Sequence, residues 1–286
     1  MNAYLATHPD IFMAQKEMHC FGSDLQFGPN FYRRTMPEYL AEFSRRNGEL
    51  RSGESSVWYL YSTQAAAEIK AASPNAQIII MLREPVELLH SLYCAFRADS
   101  NEHIRTFAEA VAAQDDRRSG HRLSRRAYFK QGLIYGNVPR YTEQVRRYFE
   151  CFGREQVHII TYDQFAADTK TVYENVLSFL GVDPVPARDH FPTINDNHAP
   201  RSSLLKAIAN DPLIRGNMIA LRSWLPRPAF GALRKIETWM TRANVQYQKR
   251  AKLDPDLRRK LKLEFAPEIE RLSELIGRDL THWNRI

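Results

Sequence analysis

Cysteine is scarce in this chain, and the scarcity excludes whole classes of protein. Three cysteines, Cys20, Cys94 and Cys151, stand far apart with no paired spacing. They are too few for a disulfide framework or a zinc site, and they fit a reducing compartment. No apolar run approaches the length of a membrane span and no secretory leader opens the sequence, so a cytoplasmic protein is expected. Internal repeats and low-complexity tracts are absent. So are a Walker loop and a suitably placed magnesium-binding acid, which argues against a nucleotide kinase. Aromatic-basic motifs are lacking too. The 40 basic residues outnumber the 33 acidic ones, for a net charge of +7. Because the arginines are scattered, nucleic acid is not the expected partner. An anionic small ligand is the sharper reading and an ordinary basic enzyme the blander one.

What is present is enough apolar residue for a sizeable core. At 286 residues and 44% hydrophobic, one domain over 1–286 is expected, with segments 99–130 and 205–250 as lids or acceptor-side insertions. The chain is organised around Gln77–Phe96, QIIIMLREPVELLHSLYCAF. Ile78, Ile79, Ile80, Met81 and Leu82 form an apolar run without alternation, as in a strand buried on both faces of a parallel sheet. Pro85 then pre-sets a helical φ, and Leu88, Leu89, Leu92, Tyr93 and Phe96 fall on one helical stripe. Ligands of open α/β folds collect at such a carboxyl edge. Arg83 sits there, and Ser91 lies about two turns into the helix. A guanidinium and a hydroxyl converging at that edge would suit a phosphate.

Either side, the pattern continues. Asn2–His8 reads as helix, stopped by Pro9. Asp10–Phe21 is a loop or short strand that brings Lys16, Glu17 and His19 close together. Gly53–Tyr61, GESSVWYLY, has strand composition, and Ser62 caps a helix to about Ala72. With the Gln77 strand and Pro85 helix this makes a strand–helix–strand–helix crossover unit. Asp99–Arg126 is polar, with a helix around Thr106–Ala113, and reads as solvated surface, a basic flap being the alternative. A helical stripe from Val138 to Phe152 is closed by Gly153, and Val157–Tyr162 is another strand. Asp168 caps a helix through Leu180, with Gly181 at its end. Leu213–Arg234 reads as a packed helix pair, with a peripheral membrane contact as the alternative. Asp254-Pro255 starts a C-terminal helix, Pro267 interrupts it, and a second helix runs to Gly277.

Taken together, YLATHPDIF (4–12), KEMHCF (16–21), GESSVWYLY (53–61), IIIMLREPVELLHSLY (78–93), GLIYGNVPRYTEQVRRYF (132–149), VHIITYDQF (157–165) and the C-terminal 253–283 resemble one family in its order. That family is the sulfotransferases using 3′-phosphoadenosine 5′-phosphosulfate (PAPS), in the bacterial and heparan-sulfate-type branch. The resemblance implies an α/β fold of the P-loop nucleotide-hydrolase type, a parallel sheet flanked by helices. It implies that Arg83 and Ser91 bind the 3′-phosphate of PAPS and that Arg201, in the polar loop Asn195–Ser203, adds a contact. By the same resemblance Glu17 is the general base, His19 orients the acceptor or stabilises charge beside it, and Lys16 flanks them. The acceptor is a hydroxyl of a carbohydrate or glycolipid, and no metal is required. Oligomeric state stays open.

The chain departs from the pattern in two places. Some relatives have a lysine after the glutamate of the GESS block, where this chain has Ser55 and Ser56. The family also opens with a strand and a Lys-x-Gly-Thr-Thr-like loop that cradles the 5′-phosphosulfate, and Met1 falls after that loop. The expectation is therefore a shortened or misassigned start, with a degenerate, non-catalytic PAP- or glycan-binding remnant as the alternative. A chain beginning at Met1 is expected not to transfer sulfate.

Overall fold

Short strands alternate with helices along the chain, and the strands that pair near the site run parallel. The computed structural model describes residues 1–28, 31, 33–124, 127–184, 191, 198–200, 245–247 and 252–285. The first elements are helix α1 (Asn2–Leu5), strand β1 (Ile11–Met13), α2 (Met36–Phe43), β2 (Arg51–Gly53) and α3 (Ala65–Ala72). Then come β3 (Ile78–Leu82), α4 (Pro85–Ala98), α5 (Phe107–Ala112), α6 (Gln114–Arg118), α7 (Tyr141–Phe152), β4 (Val157–Thr161), α8 (Tyr162–Ala167) and α9 (Thr169–Leu180). Strands β5 (His198–Pro200) and β6 (Val245–Tyr247) follow, then α10 (Pro255–Ile276). The chain divides into two compact units, Met1–Pro192 with Leu253–Ile286, and Thr193–Lys252. In the smaller unit β5 and β6 pair antiparallel, His198 opposite Tyr247. The segments 205–244 and 248–250, which include the expected helix pair, lie outside the described residues.

In the larger unit β1 pairs in parallel with β2, Ile11 opposite Arg51 and Met13 opposite Gly53. β3 pairs in parallel with β4, Ile78 opposite Val157 and Leu82 opposite Thr161. The period of two sends Ile80, Leu82, Val157 and Ile159 into one core and Ile79 and Ile160 into another. The first core receives Val86, Leu89 and Phe96 of α4, Tyr141, Val145 and Tyr148 of α7, and Leu261, Phe265 and Ile269 of α10. The second joins Tyr4 and Leu5 of α1, Ile11 of β1 and Tyr173, Val176 and Leu177 of α9. Strand β3 is less enclosed than its composition suggests, since Met81 is exposed.

Caps fix where the helices begin and end. Pro85 opens α4, and the Glu84 carboxylate accepts from the N–H groups of Val86 (3.1 Å) and Glu87 (2.8 Å). The Asp168 carboxylate accepts from Thr171 N–H at 3.0 Å, and Gly181 closes α9 with φ of 65°. The Ser62 hydroxyl accepts from Ala65 N–H at 2.9 Å at the head of α3.

Three expectations need correction. GESSVWYLY is not a strand. After β2 ends at Gly53 the chain makes a 3₁₀ turn at Val57–Tyr59, because Trp58 and Tyr59 anchor in separate aromatic clusters. β2 and β3 consequently belong to separate pairs, not to one crossover unit. Pro267 does not divide the C-terminal helix. Leu261, Phe265, Ile269 and Leu272 continue one buried stripe through it, and that packing outweighs the lost N–H. Residues 99–124 are not simply solvated surface. Ile104, Phe107, Ala110 and Ala113 are core, and Asn101, Glu102 and Arg117 are buried with them.

Candidate active site

Parallel pairing of β1 and β2 continues into the loops beyond them. Ala14 N–H donates to Gly53 C=O at 2.8 Å and Glu17 N–H to Ser55 C=O at 2.9 Å. The two loops are thereby held side by side at the carboxyl edge, and the second forms a seat for the first. Val57 N–H donates to Glu17 Oε2 at 3.2 Å. The Ser56 hydroxyl accepts from His19 N–H at 3.1 Å and donates to Glu54 Oε2 at 2.9 Å. Glu17 and His19 both adopt left-handed backbone, with φ of 59° and 48°. Each costs about 1–2 kcal/mol in a residue with a Cβ, and these cross-loop bonds sustain the pair.

That backbone turns the two side chains onto one another. His19 Nε2 lies 3.1 Å from Glu17 Oε2. The contact assigns the imidazole proton to Nε2, from which it donates to the carboxylate. The His19 side chain is 3% exposed, packed against Phe27 and Phe31, and its Nδ1 is buried without a partner. The Glu17 side chain is 35% exposed. Solvent therefore reaches the carboxylate and not the imidazole. Lys16 is exposed beside them.

Behind this pair is a second carboxyl group that the sequence did not single out. Burial pushes Glu54 up from the ordinary carboxylate range, and the nearby Glu17 charge adds to it; hydrogen bonds from Ser56 and Tyr59 and the His19 ring offset this only in part. A folded-state pKa above the unfolded one means that stability is full below about 4.3, the unperturbed value, and falls as pH rises through the raised one. Glu54→Gln keeps an acceptor for Ser56 and removes that loss. Its melting temperature relative to wild type should be higher at about pH 7 than at about pH 4. Thermal melts at the two pH values check this, and the same difference at both would contradict it.

The second cluster lies at the carboxyl end of β3. Tyr141 of α7 donates its hydroxyl to Arg83 C=O at 3.0 Å and fixes the backbone there. The guanidinium lies 4.6 Å from the Tyr162 ring centroid, and its Nη2 is 3.8 Å from Glu87 Oε2. Glu87 also pairs with Arg258 of α10. Ser91 is half-buried on α4, one turn beyond Glu87 on the same face. The first N–H groups of α4 are taken by Glu84, so positive charge at this edge comes from arginine side chains rather than from the helix end.

Of the residues expected from the sequence, Glu17 and His19 are in contact, Lys16 flanks them, and Arg83 and Ser91 both adjoin Glu87. Arg201 lies outside the described residues. Glu54, Glu87, Tyr162 and Arg258 were not anticipated. All four lie within segments that resemble the family, and Glu87 also stands four residues from both Arg83 and Ser91. Among the described residues no group of three or more His, Cys, Asp or Glu is placed to hold a metal ion, and no helix is long and apolar enough to cross a membrane.

Residues 25–198 match the family model described as the sulfotransferase domain. Carbohydrate sulfotransferase 15 of Homo sapiens is 29% identical over 128 residues, covering 41% of this chain and 22% of that protein. The human bifunctional heparan sulfate N-deacetylase/N-sulfotransferase 3 is 27% identical over 183 residues, covering 63% of this chain and 20% of that protein. This chain thus spans about a fifth of the length of these curated relatives. The crystal structure of a sulfotransferase from Alicyclobacillus acidocaldarius is similar over 99% of this chain and 92% of that one, with a TM-score of 0.69 and 28% identity.

Proposed function

We propose, from the premise that this chain belongs to the PAPS-dependent sulfotransferase family, that it transfers a sulfuryl group from PAPS to a hydroxyl of a carbohydrate or glycolipid. The observation that carries this reading is the Glu17 carboxylate, accessible and held at once by Val57 N–H and His19 Nε2. In the proposed step the acceptor hydroxyl gives its proton to Glu17. Its oxygen forms a bond to sulfur as the bond from sulfur to the 5′-phosphate oxygen breaks, and 3′-phosphoadenosine 5′-phosphate (PAP) leaves with that electron pair. Glu17 acts as general base, and its position is set before the acceptor arrives. His19 orients the carboxylate. Lys16 adds positive charge beside it. Arg83 and Ser91 hold the 3′-phosphate, with Arg201 as a further contact, and Tyr162 keeps the Arg83 guanidinium at the strand end.

A carbohydrate acceptor is supported by the relatives, two of which are named for carbohydrate and heparan sulfate. The same proposal treats residues 1–286 as one elaborated domain and places it in the cytoplasm, at most peripheral to a membrane. The test is incubation of the protein with PAPS labelled in its sulfuryl group and a panel of glycans and glycolipids. The expected result is label in the acceptor with an equal amount of PAP, an outcome that would also overturn the expectation that a chain beginning at Met1 does not transfer sulfate. Label only in free sulfate, or no affinity for PAP, would overturn the proposal.

A further inference from the structure

Glu87 holds an unusual place for a carboxylate beside an expected phosphate. Its Oε2 is 3.8 Å from Arg83 Nη2 of the strand end, and its Oε1 is bonded to Arg258 of α10. A planar anion between two forked cations is the arrangement a phosphate also seeks. Ser91 lies one turn further along the same face of α4. A phosphate held by Arg83 and Ser91 therefore takes a position next to Glu87, where two like charges would meet. The neighbouring Glu84 carboxylate is tied down by two backbone N–H groups and turns toward the helix end.

The two contacts of Glu87 are unequal. The one to Arg258 is a direct ion pair and the one to Arg83 is long, so Arg83 is the partner that can leave. Side-chain exposures of 33% for Glu87 and 40% for Arg258 let both turn without disturbing the core. We propose that Glu87 is a built-in competitor for the anionic ligand at Arg83, and that Arg258 is a positioning residue that holds this carboxylate aside when a phosphate takes Arg83. The proposal rests on the reading of Arg83 as a phosphate-binding residue. It gives α10, more than 150 residues away in sequence, an indirect part in ligand affinity.

The test is calorimetric titration of PAP into the full chain and its variants. Glu87→Gln should tighten binding about three-fold, the scale of a partly exposed ion pair. The gain should shrink as salt is added. Arg258→Gln should weaken binding by a similar factor in the wild-type background and have no effect in the Glu87→Gln background. Equal weakening by Arg258→Gln in both backgrounds would mean that Arg258 touches the ligand itself and would overturn the inference. Unchanged or weaker binding in Glu87→Gln would overturn it as well. Glu87→Gln leaves Leu261 and Phe265 of α10 packed, so this variant decides the matter if Arg258→Gln does not fold. Arg83→Ala is the control for the underlying reading. Wild-type affinity in that variant defeats the phosphate assignment, whereas lost affinity there with no effect at Glu87 defeats only the competitor.

Discussion

Glu17→Gln should lower sulfuryl transfer by roughly 10²–10⁴-fold while leaving PAP affinity essentially unchanged, the loss expected when a general base is removed. Glutamine is close to isosteric and its carbonyl oxygen still accepts from Val57 N–H and His19 Nε2, so the left-handed turn at residues 17 and 19 has the same support. What disappears is the ability to take the proton of the acceptor hydroxyl. Initial rates with saturating acceptor, alongside PAP titration, separate the two quantities. A parallel loss of rate and affinity would assign Glu17 a structural role in the site. An unchanged rate would remove it from the chemistry.

Arg117→Met should cost about 3–5 kcal/mol of stability, the largest single effect expected outside the site. The side chains of Arg117 and Glu102 are both at 0% exposure. Arg117 Nη2 reaches the two Glu102 oxygens at 2.9 and 2.8 Å, and its Nη1 donates to Leu133 C=O at 2.8 Å. Glu102 also accepts from Ile104 N–H at 2.8 Å and from the Tyr135 hydroxyl at 3.0 Å. Removing the arginine leaves a buried carboxylate without its cation and a carbonyl without its donor. Arg117 Nε has no partner even in the intact network, so the pair is incompletely compensated. Replacing both members, as Glu102→Leu with Arg117→Met, should therefore recover much of the loss. The urea midpoint reads both effects at constant slope. A single variant as stable as wild type would show that this network does not hold the segment.

The elements that were legible in the sequence are those whose signals are local. The run Ile78–Leu82, with Pro85 and the stripe behind it, became β3 and α4, and Asp168 with Gly181 marked both ends of α9. Those features depend on caps and on periods of two and 3.6, which one stretch of chain carries by itself. Burial of Glu102 and Arg117 was not legible, because each is an ordinary charge until the other lies opposite it fifteen residues away. The usual effect of proline predicts a break at Pro267, although the phase of Leu261, Phe265, Ile269 and Leu272 runs through it. At the site, Glu17 and Arg83 came from motifs. The seat made by Ser55, Ser56 and Val57 consists of backbone and hydroxyl groups, which carry no chemical signature in a sequence. Arg258 reaches Glu87 only through the docking of α10 on α4, and no motif marks that.

The central claim is that a phosphate of the sulfuryl donor is held at the end of β3. Titration of PAP into wild type and Arg83→Ala tests it most directly. A charge-assisted contact of this kind is worth about 1.5–3 kcal/mol, so the variant should bind PAP at least about ten-fold more weakly. Equal affinity in the two proteins would contradict the account.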